Sequence, residues 1–167
     1  LIPLMDGLKI DNQTQDWWGD WRKVCNIIWE KLEGIDDQPA NRFIEKISEI
    51  IPDGAVITTD VGQNQVWVAQ SFKVKEHQRI LFSGGHGAMG YSIPAAIGAY
   101  YATKKTVYAF VGDGGFMMNL QELEFIKREK LPIKIIVLDN QSLGMIRHFQ
   151  EMYFDSNYYQ TKEKHGY

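Results

Sequence analysis

The sequence predicts an α/β fold, a doubly wound, mainly parallel sheet with helices on both faces. Three observations lead there. Short runs that are apolar on both faces, AVITT (55–59), RILFS (79–83), TVYAFV (106–111) and PIKIIVLD (132–139), alternate with segments of helical periodicity. Glycine-bearing turns follow those runs directly: DVGQNQ (60–65), SGGHGAMG (83–90), GDGG (112–115) and DNQSLG (139–144). The chain of 167 residues, 44% hydrophobic and 23% charged, is long enough for one domain with a real core.

Taken in order, residues 1–16 (LIPLMDGLKIDNQTQD) read as the tail of a preceding domain followed by a polar linker. WWGDWRKVCNIIWEKLE comes next, with Trp17, Trp21, Val24, Ile28 and Leu32 at helical spacing. Trp17, Trp18, Trp21 and Trp29 all fall in this element, so it either docks on its own domain or packs against a domain or subunit absent from this chain. Residues 1–38 are therefore set apart from an α/β domain over 39–167. From Pro39 the pattern becomes regular, and ANRFIEKISEIIP is an amphipathic helix stopped by Pro52. VGQNQVWVAQSF reads as helical and AMGYSIPAAIGAYYA as a helix of small residues. NLQELEFIKREK predicts a helix starting near Asn119, and LGMIRHFQEMYF begins another.

Composition excludes several classes of function. A net charge of −3 without a basic cluster argues against nucleic acid as a partner. No apolar run reaches membrane-spanning length and no basic-then-apolar leader opens the chain, so the expectation is a cytoplasmic protein without a membrane partner. Cys25, the single cysteine, sits among Val24, Ile27 and Ile28 and reads as a buried, inert thiol. His77, His86, His148 and His165 lack zinc-like spacing, and neither a Gly-x-Ser-x-Gly elbow nor a Walker loop is present.

The glycines admit two readings. Gly85-His86-Gly87-Ala88-Met89-Gly90 satisfies the dinucleotide fingerprint G-x-G-x-x-G, and Asp113 lies 23 positions beyond Gly90, near where a ribose-binding acid would stand. That reading predicts a nicotinamide- or flavin-dependent oxidoreductase. It leaves unexplained the glycines on both sides of Asp113 and the Asp139-Asn140 pair one strand later. The other reading joins Asp113 to Asn140, 27 positions apart, the length of one strand–helix–strand unit. A carboxylate, an amide oxygen and nearby carbonyls suit Mg²⁺, which completes its octahedron with phosphate and water. The loop then holds a diphosphate through a metal, while its amides face the phosphates.

GDG, 24 residues and an asparagine-type pair, here GDGGFMMNLQELEFIKREKLPIKIIVLDN, resembles the thiamine diphosphate-binding motif. TTDVGQNQVWVAQ, SGGHGAMGYSIPAAIGA and DNQSLGMIRHFQ extend the resemblance, over roughly residues 39–160, to the large catalytic subunit of acetolactate (acetohydroxyacid) synthase. The resemblance implies that residues 39–167 are the C-terminal thiamine diphosphate- and Mg²⁺-binding domain, truncated at its C-terminus, and that 1–38 end the middle domain. By position, Asp113, Asn140 and the Ser142 carbonyl would hold Mg²⁺. Gly112, Gly114, Gly115, Leu143, Gly144 and Met145 would lie along the cofactor, as would the turn Val61-Gly62-Gln63-Asn64. Gly87 would meet the aminopyrimidine, and Met89 would be the apolar wedge that bends the cofactor into its V shape. Met145 and Phe149 would border the second substrate.

The implied reaction decarboxylates pyruvate and joins the remaining two-carbon unit to a second 2-oxo acid, with the cofactor carrying the chemistry. It belongs to branched-chain amino acid biosynthesis, and other thiamine diphosphate-dependent decarboxylases and carboligases share the motif. Family members work as homodimers or higher homo-oligomers, and their essential glutamate comes from a neighbouring subunit's N-terminal domain. These 167 residues alone are therefore expected to be inactive. FAD, used structurally by many members, would sit mainly outside this chain. Four positions depart from the family pattern. Asp139 replaces the first asparagine of the pair, Asn64 stands where histidine is common, His86 where an apolar residue is common, and Phe149 where biosynthetic members carry tryptophan.

Overall fold

A computed structural model describes residues 19, 23–25, 27–28 and 38–161. The chain divides between Asp37 and Gln38 into two units. In the first, residues 23–25 and 27–28 are helical, and Val24, Ile27 and Ile28 are exposed. Cys25 is exposed with them, which corrects the expectation of a buried thiol. A single helix cannot cover its own apolar stripe, so a thiol on that stripe shares its neighbours' exposure. Trp17, Trp18, Trp21 and Trp29 lie outside the described residues.

The second unit alternates helix and strand: α1 (Pro39–Ile50), β1 (Val56–Thr59), α2 (Gln63–Ser71), β2 (Arg79–Phe82), α3 (Ser92–Thr103), β3 (Val107–Gly112), α4 (Asp113–Met118), α5 (Glu122–Arg128), β4 (Ile133–Leu138) and α6 (Gly144–Tyr153). All pairings are parallel and the strand order is β2-β1-β3-β4. β1 is wholly buried and β3 nearly so, as their two-faced apolar runs require, whereas the edge strands β2 and β4 are partly exposed.

The two faces are filled differently. Ile44, Ile51, Val68 and Phe72, in and just beyond α1 and α2, pack on Ile57 and Phe110. Phe72 meets Phe110 edge-to-face at 6.0 Å. On the opposite face, Ala96 and Ala99 of α3 lie against Val56, Val107 and Ala109. Small side chains on both partners let that helix approach the sheet closely. Lys75 Nζ donates to the carbonyls of Glu49 (2.6 Å) and Ile51 (2.8 Å), closing the C-terminal end of α1.

Two helix starts differ from the sequence-based expectation. The helix expected from residue 88 begins at Ser92, because Gly87 (φ +66°) and Gly90 (φ +80°) hold the preceding loop in the left-handed region. The helix expected from Asn119 begins at Glu122 as α5, and a further helix that the sequence reading lacked, α4, precedes it from Asp113 with Gly112 as its N-cap. Asn119 breaks the run: its backbone leaves the helical region, and its Nδ2 donates to the Gly90 carbonyl at 2.6 Å.

These loops converge on Asp60, one residue beyond β1 and fully buried. Its Oδ1 accepts the Val61 (2.9 Å) and Gly90 (3.0 Å) N–H groups, and its Oδ2 accepts the Ser92 N–H (3.0 Å). Its own N–H donates to the Phe110 carbonyl at 2.9 Å, extending the β1–β3 pairing. Around it, Thr58 Oγ1 donates to the Ser92 carbonyl, Thr59 Oγ1 to Asn64 Oδ1, and Asn64 Nδ2 to the Val61 carbonyl. Burial pushes the Asp60 carboxyl above the ordinary carboxylate range, and the three backbone N–H groups oppose that shift.

Asp60→Asn turns an amide NH₂ towards at least one of those donors and is expected to destabilise the domain by about 1–3 kcal/mol. The native carboxyl binds its proton more tightly than the unfolded one. The wild type therefore gains stability through this group as pH falls towards 3.8, and loses it as pH rises through the raised native value. The stability gap between wild type and Asp60→Asn should widen as pH is lowered from 7 towards 4, in urea titrations at each pH.

Candidate functional site

The carboxyl ends of the strands surround a cavity of about 340 Å³, the size range of small-molecule sites. β1 and β3 are neighbours whose connections leave in opposite directions along the sheet, the switch point at which such sheets bind ligands. Each of the four turns that follow the strands contributes to the cavity.

The β1–α2 turn brings Val61, Gly62, Gln63 and Asn64 to the wall. Gly62 has φ +115°, a value that requires glycine, and lets the chain double back into α2. Asn64 is buried and serves the turn itself through its bonds to Thr59 and Val61. The β2–α3 loop contributes Gly87 and a half-buried Met89, held by the Gly90 N–H on Asp60. His86 is exposed, and the cavity lining skips from Gly87 to Met89.

Gly112, Asp113, Gly114 and Gly115 form the third wall. Their glycines answer a packing demand that the sequence alone does not reveal. A Cβ on Gly115 would stand 3.0 Å from the Asp60 carboxylate carbon, and one on Gly112 would stand 3.3 Å from Asn64 Nδ2. The start of α4 thus passes directly over the buried end of β1. Asp113, the first residue of α4, is half-buried and lines the cavity.

The β4–α6 turn supplies Asn140, Ser142, Leu143, Gly144 and Met145. Asn140 Oδ1 accepts the Ser142 N–H at 3.1 Å, and its Nδ2 donates to Gln63 Oε1 at 2.8 Å. Asp139 is exposed and accepts the Gln141 N–H at 2.9 Å, so its carboxylate closes its own turn. Ser142 is buried, and its hydroxyl and the Leu143 N–H both bond the Thr161 carbonyl.

Asp113 and Asn140 therefore line one cavity, and Ser142, named by the resemblance, lines it with them. Phe149 lies one helical turn beyond Met145, outside that lining, half exposed and stacked near Tyr153 at 4.6 Å. The residue that sequence reasoning missed is Asp60. An acid directly after a β-branched strand, two residues before a turn glycine, was the available signal.

The geometry also decides between the two readings of the glycines. In a dinucleotide fold the fingerprint strand and the acid-bearing strand are adjacent. Here the G-x-G-x-x-G stretch follows β2 and Asp113 follows β3, with β1 lying between them. The helix after the fingerprint starts only at Ser92, beyond its third glycine.

The donor chemistry fits a hard divalent cation. Asp113 offers a carboxylate, Asn140 an amide oxygen and Ser142 a backbone carbonyl, all at one cavity. Among the described residues no group of three or more His, Cys, Asp or Glu gathers, so a softer or multi-carboxylate metal centre has no counterpart there. No helix among the described residues is long and apolar enough to cross a membrane.

Comparison with known proteins agrees with this arrangement. Residues 60–167 match the thiamine pyrophosphate enzyme C-terminal TPP binding domain. The chain is 40% identical over 148 residues to the acetolactate synthase isozyme 2 large subunit of Escherichia coli, covering 85% of this chain and 27% of that protein. It is 39% identical over 168 residues to the Lactococcus lactis acetolactate synthase large subunit (92% and 29%). A probable acetolactate synthase large subunit of Methanocaldococcus jannaschii is 43% identical over 128 residues (71% and 22%). The chain thus spans about a quarter of the length of these relatives. By the matched domain, the chain belongs to the thiamine pyrophosphate enzyme family, as its C-terminal TPP-binding domain.

Proposed function

We propose that this domain anchors thiamine diphosphate through Mg²⁺, within an acetolactate synthase-like enzyme that decarboxylates pyruvate and joins the product to a second 2-oxo acid. The observation that carries the reading is the meeting of Asp113, Asn140 and Ser142 at one cavity beside the glycine turns. Asp113, Asn140 Oδ1 and the Ser142 carbonyl would hold the cation. Gly114, Gly115, Leu143 and Gly144, with the Val61–Asn64 turn, would offer backbone to the diphosphate. Gly87 and Met89 would border the ring end, with Met89 as an apolar wedge against it. When bound, the cofactor supplies the carbanion chemistry that no side chain of this domain provides. The domain's part is to bind it, fix its orientation and exclude water from one side.

Substrate choice rests on α6. Met145 borders the cavity and Phe149 follows one turn along the same side, and on this reading a second 2-oxo acid would meet both. Met145, Ile146, Phe149 and Met152 are exposed in this unit, apolar area that suits packing in a homo-oligomer.

Two experiments test it. Titrating the full-length protein with thiamine diphosphate and with NAD, each with and without Mg²⁺, should give metal-dependent binding of the thiamine cofactor alone. Asp113→Ala should weaken that binding by roughly a hundredfold, because a charged ligand to the cation is removed. Metal-independent binding of NAD would overturn the assignment. In a competition assay with pyruvate, the wild type should show little preference for 2-oxobutanoate over a second pyruvate. Phe149→Trp should raise that preference roughly tenfold, the lower range for one methylene against an apolar wall. An unchanged product ratio would remove Phe149 from the specificity argument.

A further inference from the structure

Gln63 and Asn140 are 77 residues apart in sequence, yet their side-chain amides meet at 2.8 Å across the cavity mouth. The two ends of the Asn140 amide are occupied in opposite senses. Oδ1 accepts the Ser142 N–H at 3.1 Å, and Nδ2 donates to Gln63 Oε1. Turning the amide by half a rotation would set Nδ2 against the Ser142 N–H and Oδ1 against Gln63 Oε1. The Ser142 bond would be replaced by a like-to-like contact, and the Gln63 bond would survive only if the Gln63 amide turned as well.

The fold makes room for this pair. Gln63 is the first residue of α2, launched from the positive-φ Gly62, and its side chain crosses to the β4–α6 turn. Gly144 opens α6 at the crossing point. A Cβ there would overlap Gln63 Cδ and Oε1 and would stand 2.8 Å from Asn140 Nδ2. Residue 144 has φ outside the left-handed region, so its backbone does not demand glycine. The absence of a side chain serves the passage of Gln63.

We infer that Gln63 is a positioning residue that fixes the Asn140 amide with its oxygen turned towards the cation. The inference rests on the reading that Asn140 is a cation ligand, and it adds a reason for Gln63 and Gly144 beyond closeness to a diphosphate. With only the Ser142 N–H to hold it the Asn140 amide rests on a single bond, and an NH₂ group turned inward cannot ligate a metal. Holding the amide in one sense removes that competing state before the cation arrives.

The test uses Mn²⁺ as the probe, its free concentration read by electron paramagnetic resonance in the full-length protein with saturating thiamine diphosphate. Gln63→Leu removes the acceptor and should weaken Mn²⁺ binding about fivefold, the size of one net hydrogen bond. Gly144→Ala keeps Gln63 but displaces it from Asn140, and should weaken Mn²⁺ binding by a similar factor. Gln63→Glu keeps the acceptor oxygen, so it should bind Mn²⁺ within twofold of the wild type or more tightly. Mn²⁺ affinity unchanged in both Gln63→Leu and Gly144→Ala would overturn the positioning role. Equal loss in Gln63→Leu and Gln63→Glu would overturn it too, since only the first lacks the acceptor. Asn140→Ala separates this failure from that of the underlying reading. If that variant binds Mn²⁺ as the wild type does, the cation site itself is misassigned and the inference falls with it.

Discussion

A carboxylate buried at the end of the central strand is the constraint from which the site's geometry follows. Asp60 is fully enclosed, and burial alone would favour its neutral form. Three backbone N–H groups from its own turn and from the start of α3 oppose that tendency. A buried acceptor with three donors of fixed geometry cannot be shared among several loop conformations. The β2–α3 loop therefore has one path past the strand ends, and Met89 one position at the cavity. The same carboxylate explains the glycine at 115, because α4 must pass over Asp60 with no Cβ between them.

The site divides between this rigid floor and a more open rim. Asp60, Asn64, Thr58 and Thr59 are buried and bonded to one another's turns, so they hold the backbone in place. Asp113 and Asn140 stand at the rim, half-buried and exposed respectively, where a hydrated cation can reach them. Mg²⁺ gives up its water reluctantly, and a rim position lets it keep part of its shell. On the proposed reading, the floor fixes the backbone and the rim offers the oxygen donors for a diphosphate held through a metal.

Much of this was legible in the sequence. Strands buried on both faces announce themselves as continuous apolar runs, and each observed strand lies within a residue of its run. The fixed direction of a parallel sheet then gathers every following turn at one end, so the residues of all four turns could be grouped without a structure. Contacts across the sheet carried no such signal. Asp60 reads as an ordinary turn acid until the loop 30 residues later is seen to donate to it. Asn119 looks like a helix start, and only its bond to Gly90 shows that it ends one helix. Cys25 was misjudged because helical periodicity identifies an apolar stripe without saying whether anything covers it. Phe149 shares a helix side with Met145, and one turn of rise is enough to carry it beyond the cavity lining.

The central claim, that the Asp60 carboxylate pins the β2–α3 loop to the sheet, is tested most directly by native-state hydrogen exchange at individual amides. The Gly90 and Ser92 N–H groups should exchange only through large-scale unfolding, as slowly as the amides of β1 and β3. Gly84 and Gly85, exposed in the same loop, should exchange orders of magnitude faster. If Gly90 and Ser92 instead exchange at the rate of Gly84 and Gly85, the loop opens independently of the sheet and the carboxylate does not hold it.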